Sequence, residues 1–317
     1  MRLCRIRAGN GLPLMIDKLE MFIALANERH FGRAAETVGV SQPSLSSAIQ
    51  QLEDQLGVRL VLRGSRFKGL TPEGQRVLDW ALKIVGDART MREEMRALKR
   101  GVSGKLRIGV IPTALPVSAR LTVPFLERNP NVNMMLLSCT SIEILEGIDR
   151  LELDAGITYL DNEPIGRVTQ VPLYKEGYQL LVAETRPEAK LASITWTEAA
   201  ELPLCLLTGD MQNRRIINQH LTDAGADAQV RIESNSSIAL ISHVATGNWA
   251  SIVAHTPGEP SCAGTGLKTV PIRDPDARHT VGLIAAFREP YTPALTALIE
   301  QARRLARTGC IMRNPTK

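Results

Sequence analysis

The stretch Phe31-Gly32-Arg33-Ala34-Ala35-Glu36-Thr37-Val38-Gly39-Val40-Ser41-Gln42-Pro43-Ser44-Leu45-Ser46 decides how this chain is read. The small pair Ala34 and Ala35 lets two helices approach closely, and Gly39 suits the left-handed position that ends a helix. Two residues on, Ser41 is placed to cap a second helix, with Pro43 in its first turn. Leu45, Ile49 and Leu52 then share one face of that helix, leaving Ser44, Ser46, Ser47 and Gln50 on the other. This is the layout of a helix-turn-helix, whose second helix enters the major groove and reads base edges with short polar side chains and amides.

Upstream, Asp17 is expected to cap a helix carrying Leu19, Phe22, Ile23 and Leu25 and ending near Glu28. Downstream, Gly57 stops the reading helix. Val58, Leu60 and Leu62 alternate with Arg59, Val61 and Arg63, which predicts a short strand. Gly64-Ser65 is a turn, and residues 66–70 return from it. That wing holds four basic residues (Arg59, Arg63, Arg66, Lys68) and no acidic one between Gly57 and Leu70, a composition suited to phosphates. The candidate DNA contacts are therefore Arg33, Ser41, Gln42, Ser44, Ser46, Ser47 and Gln50, together with those four wing residues.

Thr71 and Pro72 open a long helix that runs unbroken to about Arg100. Roughly 29 residues at about 1.5 Å each make a rod of about 43 Å. Its apolar stripe needs a partner, and a second copy of the chain is the simplest one. Val77, Ala81, Ile84, Ala88, Met91 and Met95 are the candidate dimer seam, and a dimer would supply two heads for a palindromic site.

Gly101-Val102-Ser103-Gly104 reads as a hinge. Beyond it, strands at 105–110, 132–138 and 154–158 alternate with helices at 116–128 and 141–152, the pattern of an α/β domain with a mainly parallel sheet. A second unit begins near Lys175. It has strands at 178–183, 204–207, 230–233 and 250–253, and helices at 213–224 and 237–246. The chain closes with strands at 267–272 and 280–286 and a helix at 293–307. The predicted organisation is a winged head over 15–72, a dimerisation helix over 72–100 and a hinge at 101–104. One α/β lobe is formed by 105–173 with 272–307, and a second by 174–271.

Composition narrows the function. The chain is 44% hydrophobic and 22% charged, an ordinary soluble balance. The net charge of +5 is uneven: residues 15–104 hold 14 basic and 11 acidic side chains, while residues 105–317 hold 21 and 22. No apolar run approaches the ~20 residues needed to cross a membrane. The first 14 residues have basic groups without the apolar core of a signal peptide, so a cytoplasmic protein is expected, with Met15 an alternative start. Five cysteines without a CxxC pair argue against a zinc finger or a disulfide scaffold. No GxSxG, GxGxxG, GxxxxGK or HExxH is present, and the five histidines are scattered singly, so no catalytic residue, metal or cofactor is expected.

The residues quoted above, with Ile49, Leu52-Glu53, Leu56-Gly57, Leu60 and Leu70-Thr71-Pro72-Glu73-Gly74, resemble the LysR-type transcriptional regulators, and the resemblance covers residues 15–307. It implies a winged helix-turn-helix, a linker-helix dimer that often pairs into a tetramer, and a two-lobed effector domain like periplasmic binding proteins. It also implies promoter DNA and RNA polymerase as partners and an effector that switches transcription. The wing departs from the family pattern: Leu60-Val61-Leu62-Arg63 lacks the usual aromatic, and Phe67-Lys68-Gly69 stands where a basic residue followed by an apolar one is common.

In such a fold the effector lies between the lobes, at strand-to-helix turns where helix N-termini attract anions. Thr113, Thr140, Ser141, Thr208, Asn235 and Ser236 match those turns and are the candidate effector contacts, with Gln212, Asn213, Arg214 and Arg215 as further cleft residues. Asp154 reads as structural. A small, anionic effector is the expected signal. The alternative is control by a protein partner or by cysteine oxidation, with Cys139 and Cys205 the thiols to follow. An enzyme built on the α/β lobes is the remoter reading.

Overall fold

A computed structural model of the chain describes residues 15–62, 67–255 and 265–308. It divides into two units, the first ending at Gly101 but also taking in Pro290–Pro293, and the second holding the rest from Val102 on.

The first unit is helical. Helix α1 (Met15–Glu28) starts two residues before the expected cap, so Asp17 lies in its first turn, while Leu19, Phe22, Ile23 and Leu25 are buried as their spacing requires. Helix α2 (Phe31–Val38) is capped by His30, whose Nδ1 accepts from the N–H groups of Gly32 and Arg33 at 3.1 and 3.3 Å. Gly39 ends α2 at φ 75°, a left-handed value that glycine adopts without steric cost. Ser41 then caps α3 (Gln42–Leu56), its Oγ accepting from Ser44 N–H at 3.2 Å. Ala34, Ala35, Leu45, Ile49 and Leu52 close the core that these helices share.

Among the described residues the wing pairs over a shorter stretch than expected. Val61 and Leu70 form a single antiparallel bridge, and Leu62 N–H donates to Gly69 C=O at 3.0 Å. The turn with Arg63 and Arg66 lies outside the described residues. What anchors this segment is Glu53 on α3. Its carboxylate accepts from Leu60 N–H at 2.8 Å, Val61 N–H at 3.2 Å and the Arg59 guanidinium at 2.6 Å. Helix α4 (Pro72–Arg100) is capped by Thr71, which accepts from Gly74 N–H and donates to Arg59 C=O. At Gly74 the helix lies directly on the wing backbone, where a Cβ would stand 2.1 Å from the Leu60 carbonyl oxygen.

The second unit is α/β. Strand β1 (Gly104–Val110) pairs in parallel with β2 (Val132–Ser138) and β3 (Ala155–Tyr159). Helices α5 (Leu115–Arg128) and α6 (Ser141–Asp149) fill the crossovers. The five residues of β3 are all buried, as parallel strands covered on both faces require. Helix α6 stops at Asp149, earlier than expected, because Glu152 and Leu153 turn their N–H groups back to Gly147 C=O. That turn buries Leu153 and brings Asp154 against Arg107.

Strand β4 (Val168–Ala183) joins the lobes. Its first half pairs with β10 (His279–Ala286), which lies antiparallel to β3 as well, and its second half pairs with β8 (Ser251–His255) and β9 (Leu267–Arg273). The segment 178–183, read from sequence as the opening strand of a new unit, is thus the far half of one continuous strand. Short β5 (Ile194–Thr195) extends β9 and leads into α7 (Trp196–Ala200). The second lobe also contains β6 (Leu204–Leu207), parallel to β7 (Val230–Ser234), with α8 (Gln212–Asp223) and α9 (Ser237–Val244). Amphipathic α10 (Pro293–Thr308) buries Leu295, Leu298, Ile299 and Ala302.

Candidate functional site

On the head, the outward face of α3 presents Gln42, Ser44, Ser46, Ser47 and Gln50, all exposed. Several are held by local bonds. Ser41 and Ser44 hydroxyls lie 2.8 Å apart, Gln51 donates to Ser47 Oγ at 3.3 Å, and Gln50 donates to Asp54 at 3.2 Å. Ser46 carries no such restraint among the described bonds. Arg33 bonds the Glu28 carbonyl at 2.6 Å and Arg59 bonds Glu53, yet both remain exposed; Lys68 is exposed too. Arg63 and Arg66 lie outside the described residues. The arrangement offers donors and acceptors to base edges from α3 and cations to phosphates from its flanks. Sequence reasoning missed the anchoring role of Glu53. Its burial alone would raise the carboxyl pKa, but the Leu60 N–H, the Arg59 side chain and the Val61 N–H hold it below its usual 4.5.

Helix α4 divides the expected seam between two faces. Val77 and Ala81, with Leu78, Leu82 and Val85, pack into the core of the head, and Ala88 is buried. Ile84, Met91 and Met95 are exposed, together with Trp80 and Leu98. The period is helical in both cases, and only the fold shows which face α1 covers.

Between the lobes lies a narrow cavity of about 10 Å³, lined by Ile111, Pro112, Thr113, Thr140, Ser141, Tyr159, Leu207, Met211, Gln212 and Asn213. The fold therefore brings Thr113, Thr140 and Ser141 to one place. Thr140 caps α6, and Glu143 closes a capping box by accepting Thr140 N–H at 2.8 Å. Ser141 accepts from Thr158 Oγ1 at 3.1 Å. Thr208 lies just outside the lining, its hydroxyl buried and without a hydrogen-bond partner. Asn235 and Ser236 are exposed at the start of α9, where Ser236 serves as its cap, and neither lines the cavity.

Below the cavity lies a polar layer. Tyr159 donates to the buried Glu176 carboxylate and accepts from Asn213 Nδ2 at 3.0 Å. Burial, then the Glu176 charge, pushes the Tyr159 phenol far above its ordinary range. Arg214 and Arg215 are engaged elsewhere. Arg214 bonds Glu233 and the Leu207 carbonyl, both at 2.7 Å, and Arg215 makes a two-pronged pair with Glu163 at 2.6 and 2.7 Å. His220 and His279, single in sequence, meet at 3.1 Å. Met211 in the lining and this histidine pair are the features that sequence reasoning missed, since both depend on strand order.

Two cysteines lie among the described residues, both free. Cys205 is fully buried in β6, and Cys139 is half-buried directly before Thr140. Burial raises both thiol pKa values, and Glu143 raises that of Cys139 further. No group of three metal-ligating side chains occurs among the described residues, and no described helix is long and apolar enough to cross a membrane.

Known proteins share this design. The helix-turn-helix of bacterial regulatory proteins of the lysR family matches residues 16–75, and the LysR substrate binding domain matches residues 99–307. The DNA-binding transcriptional dual regulator OxyR of Escherichia coli is 30% identical over 289 residues, covering 91% of this chain and 94% of that one. The hydrogen peroxide-inducible genes activator of Haemophilus influenzae is 26% identical over 303 residues, 92% and 98% of the two chains. A solved cysteine-to-aspartate form of full-length OxyR from Pseudomonas aeruginosa superposes with a TM-score of 0.72 at 26% identity, covering 93% of this chain and 100% of that one. CbnR complexed with its target DNA shares the fold at a TM-score of 0.58 and 23% identity. With a reading head and an α/β domain both matched across nearly its whole length, the chain belongs to the LysR family of DNA-binding transcription regulators and is not an enzyme.

Proposed function

We propose that this regulator binds promoter DNA as a dimer through α3 and the wing, and that its α/β domain responds to a small oxidant rather than to an organic anion. The observation that carries the second half is the cavity between the lobes. At about 10 Å³ it has room for roughly one water molecule, and its lining mixes apolar Ile111, Pro112 and Leu207 with hydroxyls, two amides and a thioether. A molecule little larger than water, such as hydrogen peroxide, suits that volume. Peroxide induction is in the names of several relatives.

The charges around the cavity argue the same way. The α6 N-terminus, an anion site in an open cleft, already holds the Glu143 carboxylate, and Glu176 is buried beneath Tyr159. Arg214 and Arg215 are paired with Glu233 and Glu163. These pairings favour the oxidation alternative over an anionic effector held at helix N-termini.

Cys139 is the thiol to test first, being half-buried and next to Thr140. Its thiolate would attack one peroxide oxygen, giving a sulfenic acid and releasing hydroxide. Burial, then Glu143, raises its pKa and so disfavours the reactive thiolate.

The test is fluorescence anisotropy of the full-length protein on a labelled duplex from upstream of its own coding region, before and after peroxide treatment. The oxidised residue is then located by peptide mass spectrometry. The expected result is a change in DNA affinity that a thiol reductant reverses and that Cys139→Ser abolishes. Unchanged affinity after full exposure rejects the oxidant reading. A second reading, an organic ligand entering when the lobes part, is favoured by the buried, unpartnered Thr208 hydroxyl at the cleft edge. It would be recognised by an affinity change with small organic molecules and none with peroxide.

A further inference from the structure

His220 and His279 are 59 residues apart in sequence, yet their Nε2 atoms lie 3.1 Å from each other. His220 stands near the end of α8 in the second lobe, and His279 opens β10 opposite Glu176 of β4. Asp161, in the segment after β3, completes the line: its Oδ1 is 3.2 Å from His279 Nδ1, and its Oδ2 accepts Thr280 N–H at 2.7 Å. Three more contacts run from α8 to the end of β3 and the segment after it. Gln212 donates to the Asp161 carbonyl at 3.3 Å, Asn213 to Tyr159 Oη at 3.0 Å, and Arg215 pairs with Glu163 at 2.6 Å. The histidine line is the titratable member of a latch that fastens α8 to the other lobe.

The donors and acceptors fix how many protons it can hold. An ionised Asp161 only accepts, so His279 donates to it through Nδ1. His279 Nε2 is then a lone pair, and His220 donates to it. One added proton is tolerated, because an imidazolium still bonds a neutral imidazole, with Asp161 balancing the charge. A second added proton puts N–H groups on both Nε2 atoms, facing each other at 3.1 Å, and the bond is lost.

We propose that the His220–His279–Asp161 line is a proton-binding site that holds the two lobes closed and releases them when both histidines are charged. The surrounding groups set its direction. Asp161 faces His279, Glu176 pairs with it across the sheet, Tyr178 and Tyr159 pack against its ring, and Asp223 lies one turn beyond His220. Trp196 of α7 stacks on His220 at 4.9 Å and is tilted by 29°. Burial, then the nearby His279, lowers the His220 pKa below 6.5, while Asp223 opposes this. A base whose pKa is lowered in the closed state disfavours that state in acid. Closure is therefore complete at neutral pH and above and weakens as pH falls below 6.5 toward the lowered value.

Trp196 supplies the readout. In full-length protein carrying Trp80→Phe and Trp249→Phe, Trp196 is the remaining tryptophan of three, and an imidazolium stacked on it quenches its emission. The expected result is quenching with a midpoint below 6.5. Over the same range, hydrogen-exchange protection of residues 212–223, corrected for intrinsic rates, falls by up to about tenfold per pH unit. His279→Gln should move the quenching midpoint upward and flatten the protection profile, and His220→Gln should remove the quenching. Two outcomes overturn the proposal: no quenching in the parent protein, or the same protection profile in His279→Gln as in the parent. If His220→Gln fails to fold, the His279→Gln comparison decides alone.

Discussion

The reading head and the cleft between the lobes are built from similar side chains but wired differently. In the head, the helix caps find their partners within a few residues. Ser41 bonds Ser44, His30 bonds Gly32 and Arg33, and Thr71 bonds Gly74. In the cleft the partners come from afar: Thr158 meets Ser141 across 17 residues, Asn213 meets Tyr159 across 54, and His279 meets Asp161 across 118. Locally wired structure is rigid and specified early. Contacts that join the lobes, such as Asn213 to Tyr159, depend on how the lobes are set, and so they are free to respond to a signal. The sharpest ways to break this contrast are substitutions that strike one region and spare the other.

The largest effect is expected at Gly74. An added Cβ would stand 2.1 Å from the Leu60 carbonyl, backbone against backbone, with no flexible side chain to yield. Gly74→Ala should cost the head about 3 kcal/mol or more and abolish DNA binding. Calorimetry of the full chain should show the head transition lost or shifted and the α/β transition in place. If both transitions move together, the two units are energetically coupled and the contrast fails.

Glu53 comes next. Glu53→Ala leaves the buried N–H groups of Leu60 and Val61 without their acceptor, which should cost about 2–3 kcal/mol. The pH dependence has a defined sign. The folded carboxyl pKa lies below 4.5, so its contribution is fully present above 4.5 and is lost as pH falls through the folded value. Urea unfolding at stepped pH reads this directly, and in Glu53→Gln that part of the acid dependence should vanish.

The same contrast explains what could be read from sequence. The Gly39 turn, the Ser41 and Thr71 caps and the unbroken α4 follow from short-range rules, and residues 31–46 carry them openly. Thr113, Thr140 and Ser141 were within reach because strand-to-helix turns of parallel sheets gather at one edge. Asn235 and Ser236 obey the same local rule, yet they lie outside the cavity because nothing local says which turns face it. The pairing of Arg215 with Glu163, and of His220 with His279, had no sequence signal at all. On α4, one helical period fits two faces, and only the packing of α1 separates half-buried Val77 and buried Ala81 from exposed Ile84 and Met91.

That division sharpens the dimer prediction. Ile84→Asp or Met91→Asp puts a charge on the exposed face without touching the core of the head. Each should weaken dimerisation by about 2 kcal/mol, roughly thirtyfold in the dissociation constant, as read by sedimentation at low concentration. An unchanged mass distribution would mean that the exposed face of α4 is not the seam. On α3, Ser46→Ala and Gln50→Ala should weaken specific binding by about 1–2 kcal/mol and relax sequence preference. Lys68→Ala should instead weaken all duplexes alike and lower the salt dependence.

The smallest effect is expected in the cleft, and it bears most directly on the contrast. Asn213→Ala removes the amide that donates to Tyr159 Oη, while Tyr159 keeps Glu176 as its acceptor. One lone pair is left without a donor, and that should cost about 1 kcal/mol, or roughly 2–4 °C in the α/β transition. DNA affinity of the untreated protein should stay as it was, because α3 and its caps are made within the head. The response to the signal should change, since Asn213 both lines the cavity and joins α8 to β3. Asn213→Ala therefore separates two roles that a larger substitution would confuse. A drop in stability as large as that of Glu53→Ala would mark the interlobe layer as structural core, whereas a small drop with an altered response would mark it as the part of the molecule that moves.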